Sequence, residues 1–288
     1  MPPPPDSVGF GGYTEFWIVA TAVVERIVDV RRRDVLDASV TVNGLHTGRR
    51  LRSVGRVIDE RLSLSVVIPA RNEARMLGAC LRALAGQIDP VDEIIVVDND
   101  STDETEAVAR SWAGVKVVTE RRLGITYARN AGMDAATSQL IARIDADTLV
   151  SPLWARAIRH AFASDPGLAG LTGPAGFTRL STDDRVVGRG VYGLFRAVHE
   201  VMIGSGPVMY GHNMAVRRAA WAGIRDVVTT GDGAISEDLD VTLAMRQAGM
   251  RIAYEPDMVV TIAVERTLRP RKLAGYRRTN QLTMAKYR

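Results

Sequence analysis

From residue 63 onward, short apolar runs alternate along the chain with segments in which apolar residues recur every three or four positions. The apolar runs predict strands over residues 64–68, 93–97, 115–118 and 140–144, and the segments between them predict helices over 73–84, 102–112 and 125–136. Strands that alternate with helices of this length predict an α/β fold, with a mostly parallel sheet flanked by helices.

The pattern divides the chain into three parts. Residues 1–62, with prolines at 2–5 and glycines near residue 10, predict a partly disordered N-terminal extension with one amphipathic helix over 15–34. Residues 63–265 form the predicted α/β domain, whose later part contains helices over 151–163, 183–203 and 237–248 and strands over 252–254 and 258–264. Residues 266–288 predict a basic helical tail.

Composition and charge narrow the possible partners. The 288 residues are 46% hydrophobic and 24% charged, with a net charge of +4 and a pI of about 9.4. Arginines spread along the chain supply nearly all of the positive charge, so we expect no nucleic-acid partner. Basic runs at 31–33 and 266–288 predict peripheral contact with an acidic membrane surface.

Location is predicted from the single cysteine and from the N-terminal part of the chain. Cys80 excludes an internal disulfide and a cysteine metal site, and its apolar surroundings predict a buried structural thiol. The start of the chain lacks a secretory signal pattern, and the apolar run 16–24 is shorter than the roughly 20 residues that span a bilayer. We therefore expect a cytoplasmic protein, at most peripheral on the inner membrane face.

Three polar clusters follow predicted strands, at residues 69–73, 98–103 and 145–148. Ligands of parallel sheets bind beyond the carboxyl ends of the strands, so these clusters predict one site. Asp145 and Asp147 repel each other unless a cation lies between them, which predicts a divalent metal with oxygen ligands. Alternatively, both aspartates belong to the cap of a helix that begins near Ser151 and Pro152.

The order and spacing of five motifs resemble the GT-A fold glycosyltransferases of family 2. The segment 66–73 is similar to the family's first strand and nucleotide-contacting turn, and 96–103 is similar to its V-D-D-G-S-T-D run. Gly124 with 128–132, the D-x-D at 145–147 and the E-D pair in 236–238 match three further motifs. The resemblance covers about two-thirds of the chain, from residue 64 to 256.

The resemblance implies inverting transfer of a sugar from a nucleoside-diphosphate sugar, most commonly UDP-linked, to a hydroxyl of a glycan, lipid carrier or small molecule. Such reactions build cell walls, glycolipids and surface polysaccharides. Asp238 matches the acceptor base, with Glu237 beside it, and Asp147 with Asp145 would bind Mn²⁺ or Mg²⁺. The residues implied to contact the nucleotide or donor sugar are Pro69, Ala70, Arg71, Glu73, Asp98, Asp100, Arg129, Asn130, Asp145, His212 and Asn213.

One departure from the family pattern concerns the metal. Many relatives have a histidine after the last core strand that completes the metal shell, whereas residues 258–266 of this chain contain none. The third protein ligand therefore stays open, with water or the C-terminal tail as the candidates to fill the position. Arg266 and Arg269 are candidates to steady the diphosphate.

Other readings compete with this one. A non-catalytic nucleotide-sugar binding module would share the fold, and a haloacid-dehalogenase-type phosphatase also uses an Asp-x-Asp, although after its first strand. An oxidoreductase would need Gly-x-Gly-x-x-Gly after the first strand, where this chain has Pro69 to Glu73. Three of the motifs also have a purely structural interpretation. In that interpretation, residues 98–103 form a helix-capping turn, Arg129 lies on a solvated helix face, and residues 236–238 form the charged first turn of a helix.

Overall fold

The computed structural model describes residues 61–178, 193, 196, 200, 206–231, 235–263 and 270–288. The predicted helices over 15–34 and 183–203, together with Arg266 and Arg269, lie wholly or almost wholly outside these ranges. The described residues belong to one compact unit, Arg61–Arg288. The division of the chain at residues 63 and 265 stays a prediction.

A seven-stranded sheet forms the centre of this unit. Its order is β3-β2-β1-β4-β8-β6-β9, and β8 is the strand that runs antiparallel to its neighbours. The strands are β1 (Leu64–Ala70), β2 (Glu93–Asp98), β3 (Val115–Thr119), β4 (Leu140–Arg143), β6 (Leu168–Thr172), β8 (Met214–Arg217) and β9 (Arg251–Tyr254). The mostly parallel α/β sheet predicted from the pattern is therefore confirmed.

Seven helices and a small second sheet complete the described structure. The second sheet pairs β5 (Leu149–Val150), β10 (Val260–Ala263) and β7 (Ala175–Thr178). The helices are α1 (Ala74–Ala85), α2 (Thr105–Arg110), α3 (Ile125–Ala135), α4 (Trp154–Ser164), α5 (Arg218–Ile224), α6 (Glu237–Gln247) and α7 (Pro270–Lys286). Within the described part of the chain, none of the helices combines the length and the apolar character needed to cross a membrane.

Each face of the large sheet buries its own apolar cluster. On one face, side chains of β1 such as Val66 and Ile68 join Leu77 of α1 and Trp154 of α4. On the other face, Val67 joins side chains of α3, α5 and α6. Successive residues of a strand point to opposite faces, so a strand covered on both sides is apolar throughout, which is the run that made β1 recognisable in the sequence.

Several predicted boundaries differ from the structure by a few residues, and two of the differences have a clear structural reason. The strand β1 continues through Pro69 to Ala70, because pairing with β4 ends at Val67 and Arg143, so no ladder donor is lost at the proline. The helix α4 begins at Trp154 and not at Pro152, since residues 151–153 form a turn in which the Trp154 amide bonds to the Ser151 carbonyl. The expected capping of this helix by Ser151 is therefore wrong.

Close packing of α3 on the sheet depends on Gly132. A Cβ atom at this position would lie 2.3 Å from Val67 Cγ1 and 2.7 Å from Val97 Cγ2, both in the buried sheet. Such distances require the helix or the strands to move. The absence of a side chain at Gly132 therefore sets how closely α3 approaches β1 and β2. The same packing fixes the position of the first turn of α3, which lines a cavity described below.

We expect Gly132→Ala to destabilise the protein by about 1–3 kcal/mol, because the added methyl overpacks the interface between α3 and the sheet. Gly78→Ala is the matched control, since a Cβ on Gly78 in α1 meets no atom within 4 Å. Alanine there should stabilise the helix by up to about 1 kcal/mol. Urea unfolding midpoints of the two variants should move in opposite directions, and equal midpoints would contradict this account of the interface.

Candidate active site

A cavity of about 350 Å³ opens where β1 and β4 part, at the point where the strand order of the sheet reverses. Crevices at such switch points are where open α/β sheets bind ligands. The cavity is lined by the end of β1, the residues after β4 and the first turn of α3. Of the residues predicted to form the site, it brings together Pro69, Ala70, Arg71, Glu73, Asp145 and Asp147.

The turn after β1 is tied to the loop after β2 by a set of hydrogen bonds, here called the loop stitch. Asn72, in the left-handed region with φ 56°, accepts a bond from the Thr102 amide at 2.8 Å and donates its own amide to Ser101 Oγ at 3.1 Å. Asp103 Oδ2 accepts the Ala74 amide at 3.2 Å, at the start of α1. The polar run 98–103 therefore holds the cavity wall together. It does not provide the N-cap of the helix that follows, because α2 begins at Thr105 with Glu104 as its N-cap and without a side-chain cap.

The end of β2 supplies two further polar groups. Asp98 is buried, and its Oδ1 has no hydrogen-bond partner among the described residues, an unsatisfied acceptor of the kind a bound ligand would complete. Asn99 lines the cavity and accepts the Gly124 amide at 3.0 Å, which fixes the start of α3. Asp100 is exposed and not among the lining residues. Sequence reasoning missed Asn99, although it lies within the recognised motif.

The two aspartates after β4 offer oxygen ligands for a divalent metal. Asp145 and Asp147 both line the cavity, and the Asp145 side chain is 43% exposed. Among the described residues, no group of three or more histidine, cysteine or carboxylate side chains could hold one ion. Mg²⁺ and similar ions are commonly held by one or two carboxylates, with water and substrate phosphates as further ligands. The oxygen donors present fit such an ion.

Cys80 lies directly beneath this pair. Its thiol is buried in α1, with Sγ 3.8 Å from the Asp145 carbonyl oxygen. Burial, with the negative charges of Asp147 and Asp145 nearby, raises the pKa of the thiol. The expected buried structural thiol is confirmed.

A buried arginine joins Asp145 to the E-D motif. Arg143, the last residue of β4, is 2% exposed, and it donates from Nη2 to Asp145 Oδ1 at 2.9 Å. Its Nη1 lies 2.5 Å from Glu237 Oε1 at the start of α6. Two motifs more than 90 residues apart in sequence are therefore connected by one guanidinium. We call this contact the Arg143–Glu237 bridge.

Gly211 leaves room for the bridge. A Cβ on this residue would lie 1.4 Å from Arg143 Nη1 and 2.7 Å from Glu237 Oε1. Because the guanidinium is buried and ion-paired, it cannot swing aside without losing its partner. The glycine of the Gly-His-Asn segment is thus required by the close approach of its backbone to the bridge.

Arg129 and Asn130 do not line the cavity, which corrects their expected contact with the nucleotide. Arg129 is fully buried and donates to the Glu237 carbonyl oxygen at 2.5 Å and to the Thr229 carbonyl oxygen at 3.1 Å. The Asn130 amide also donates to the Thr229 carbonyl, at 3.1 Å. Both side chains face the loop before α6 and hold it against α3. The alternative that placed Arg129 on a solvated helix face is equally wrong.

Asn213 likewise turns inward. Its Oδ1 accepts the Trp154 indole N–H at 2.9 Å, and its Nδ2 donates to the carbonyl oxygens of Met258 at 2.7 Å and Pro174 at 3.2 Å. Asn213 is completely buried, so the expected contact with the donor sugar is wrong. The residue instead links α4 to the segments that lead into the second sheet. A motif position does not tell which way such a side chain faces.

His212 and Asp238 lie together near the aspartates. Burial lowers the pKa of His212, whereas the negative charges of Asp145 and Asp238 act to raise it. Asp238 Oδ1 accepts bonds from Ser236 Oγ at 2.6 Å and from the Leu239 amide at 2.9 Å. The carboxylate is thereby oriented in the first turn of α6. Glu237, its neighbour, is directed into the bridge.

A family model described as "Glycosyl transferase family 2" matches residues 65–221 of this chain. This span covers more than half of the sequence, from β1 through α5. The chain therefore belongs to glycosyltransferase family 2 and is a glycosyltransferase. The family match leaves the phosphatase reading without support.

Characterised relatives align over part of the chain. A chondroitin synthase of Escherichia coli is 34% identical over 117 residues, which cover 38% of this chain and 17% of the relative. A validoxylamine A glucosyltransferase of Streptomyces hygroscopicus subsp. jinggangensis is 36% identical over 107 residues, covering 35% of this chain and 25% of the relative. The aligned part of this chain thus spans a quarter or less of these relatives' own length.

Solved structures share the fold at low identity. A glucosyl-3-phosphoglycerate synthase of Mycobacterium tuberculosis superposes with a TM-score of 0.58 at 21% identity, over 78% of this chain and 80% of that one. A mannosyltransferase of Pyrobaculum calidifontis in complex with GDP-Man and Mn²⁺ gives 0.56 at 22% identity, over 87% and 66%. Another structure of the Mycobacterium tuberculosis enzyme contains Mn²⁺, UDP and phosphoglyceric acid. These structures support the GT-A fold.

The Arg143–Glu237 bridge predicts that Glu237 contributes more to the stability of the protein than its neighbour Asp238. Glu237→Gln removes the carboxylate that Arg143 and Arg129 share and leaves Asp145 and Asp240 as their remaining counter-charges. We therefore expect a loss of about 1–3 kcal/mol in the free energy of unfolding. Asp238→Asn is the control, since it leaves the bridge intact and should change stability by less than about 1 kcal/mol. Guanidinium unfolding curves compare the two, and similar losses would argue against the bridge.

Proposed function

We propose that this enzyme transfers a sugar, with inversion, from a UDP-linked donor to an acceptor hydroxyl, and that it requires Mn²⁺ or Mg²⁺. The observation that carries the proposal is the cavity at the strand switch point, which has Asp145 and Asp147 in its lining. Arg143 joins Asp145 to Glu237, the residue next to Asp238. A nucleotide-sugar transferase needs a diphosphate site and an acceptor base side by side, and the bridge provides that adjacency.

The donor would occupy the cavity with its nucleoside toward β1 and β2. Pro69, Ala70 and Arg71 offer backbone and guanidinium contacts there, and the unpartnered oxygen of Asp98 would accept a hydrogen bond from the base or ribose. The first turn of α3 also lines the cavity, and the positive end of a helix dipole favours a diphosphate.

Asp147 and Asp145 would hold the divalent ion, with water and donor phosphate oxygens as the remaining ligands. When bound, the ion would supply stabilisation of the negative charge that builds up on the departing diphosphate. Arg143 donates a hydrogen bond to Asp145 Oδ1 and so restrains the orientation of that carboxylate.

Asp238 would act as the general base. As the acceptor oxygen forms its bond to the anomeric carbon, the bond from that carbon to the diphosphate oxygen breaks on the opposite face. The bonding electron pair leaves with the nucleoside diphosphate, and the hydroxyl proton passes to Asp238. Attack and departure on opposite faces give inversion. Glu237 has a positioning role here, through the bridge and not through contact with substrate.

The acceptor is proposed only as a class, namely a hydroxyl on a glycan, lipid carrier or small molecule, in cell-wall, glycolipid or surface polysaccharide synthesis. Cytoplasmic location and peripheral membrane contact stay predictions.

Thermal unfolding in the presence of nucleotides tests the donor site. We expect UDP with Mn²⁺ to stabilise the protein by about 2.7 kcal/mol at a hundredfold excess over Kd, which is roughly 5–10 °C in Tm. Asp147→Asn should abolish the metal-dependent part of the shift. GDP, ADP, CDP and dTDP, each with and without Mn²⁺, serve as controls for the nucleotide. The absence of a shift with every nucleotide, UDP included, would refute the proposal.

Asp238→Asn tests the proposed base. Transfer or slow hydrolysis of the donor should fall by about 10²-fold or more, because general-base catalysis contributes roughly 10²–10⁴-fold. The Kd for the nucleotide should stay within about threefold, since Asp238 does not line the cavity. Collapse of nucleotide binding in this variant would instead indicate a metal ligand or a structural residue.

A further inference from the structure

Asp240 lies at the centre of a buried polar cluster outside the cavity. It is fully buried in the first turns of α6, two residues after Asp238. Its Oδ2 accepts the Thr229 amide at 2.7 Å and lies 3.5 Å from Arg129 Nη2. Burial works to raise the pKa of Asp240, but the hydrogen bonds, that from Lys286 foremost, hold it below its ordinary value.

Three residues near the end of the chain contact this region, and we call Thr283, Lys286 and Tyr287 the α7 clamp. Lys286 Nζ donates to Asp240 Oδ1 at 2.9 Å, and the Tyr287 hydroxyl lies 2.8 Å from the same oxygen. Thr283 Oγ1 accepts the amide of Ser236 at 2.8 Å. The basic segment was predicted to face a membrane, yet this lysine is directed onto a buried carboxylate.

The clamp holds the chain on both sides of Asp238. Thr283 binds the residue two positions before it, and Lys286 with Tyr287 binds the residue two positions after it. Lys286 Nζ also donates to the Val227 carbonyl oxygen at 2.6 Å, in the segment that leads to α6. None of the three clamp residues lines the cavity. Their effect on the site would therefore pass through the placement of the turn that carries Asp238.

We propose that α7, through Thr283, Lys286 and Tyr287, is the positioning element for Asp238. The inference rests on the proposed function, in which Asp238 takes the acceptor proton. A general base works only within hydrogen-bond reach of the hydroxyl, and a displacement of about 1 Å can cost roughly 10²-fold in rate. Loosening the clamp should therefore lower turnover and leave the donor site unchanged.

Lys286→Met and Tyr287→Phe test the proposal, with Arg278→Met as control. Arg278 is an exposed cation on the same helix, so its replacement removes one charge without touching the clamp. Tyr287→Phe removes a single hydroxyl and keeps the aromatic ring, which guards against simple misfolding. Lys286→Arg is the conservative variant. It keeps the positive charge, so it should retain part of the kcat that Lys286→Met loses.

Two measurements are made on the full chain. Hydrogen–deuterium exchange should be at least tenfold faster in peptides covering residues 236–241 of Lys286→Met and Tyr287→Phe, and unchanged in peptides from β1 and β2. Hydrolysis of UDP-glucose, or of the nucleotide sugar matching the nucleotide that stabilises the wild type, should show kcat reduced at least tenfold. KM and the nucleotide Kd should stay within about threefold of wild type.

The outcomes separate the two proposals. If the wild type binds nucleotide and turns over donor, but both clamp variants behave like Arg278→Met in exchange and kcat, the positioning role of α7 is wrong and the proposed function stands. If the clamp variants lose nucleotide affinity along with kcat, the effect is general destabilisation and the inference is also wrong. If the wild type binds no nucleotide, the proposed function fails, and the role of α7 fails with it.

Discussion

The ion pair between Arg143 and Glu237 is the constraint on which the site depends. A guanidinium and a carboxylate that are both removed from water are tolerable only together, because either one alone would carry a large desolvation cost. Arg143 ends β4, and Glu237 begins α6. The sheet, at whose edge we propose that the nucleotide binds, is therefore held in place relative to the helix that carries the candidate base.

Neighbouring features follow from that constraint. The Arg143 guanidinium fills the space that a side chain at Gly211 would need. Arg129 also contacts Glu237, because it donates a hydrogen bond to the backbone carbonyl oxygen of Glu237. Asp240 then balances Arg129, and α7 supplies the last cation of the series. Alternating charges thus run from the cavity edge to the other side of α6. Packing alone would fix the distances between these elements, whereas the charges also fix which groups meet.

The sequence predicted the sheet, the strand ends and the cavity edge, because each depends on short periods and on local chain direction. It failed where a side chain's direction depends on a distant partner. Asn213 faces Trp154 and Met258, and Arg129 faces the loop before α6, which no local pattern reveals. Arg143 was not predicted to belong to the site. A charged residue inside an otherwise apolar strand does indicate, however, that a buried group of opposite charge lies close to it.

The loop stitch between Asn72 and residues 101–103 has a consequence for the thermodynamics of donor capture. A wall whose turns are already bonded to each other loses little conformational freedom when a ligand arrives, so contacts made there contribute to affinity with little ordering penalty. The residues after β4 are joined to α6 through the ion pairs of Arg143, whereas two of the bonds between Asn72 and residues 101–103 are donated by backbone amides. The heat-capacity and entropy changes on donor binding should therefore come mainly from ordering of the wall next to α6. The wall formed by residues 69–73 and 98–103 is already ordered and should change little.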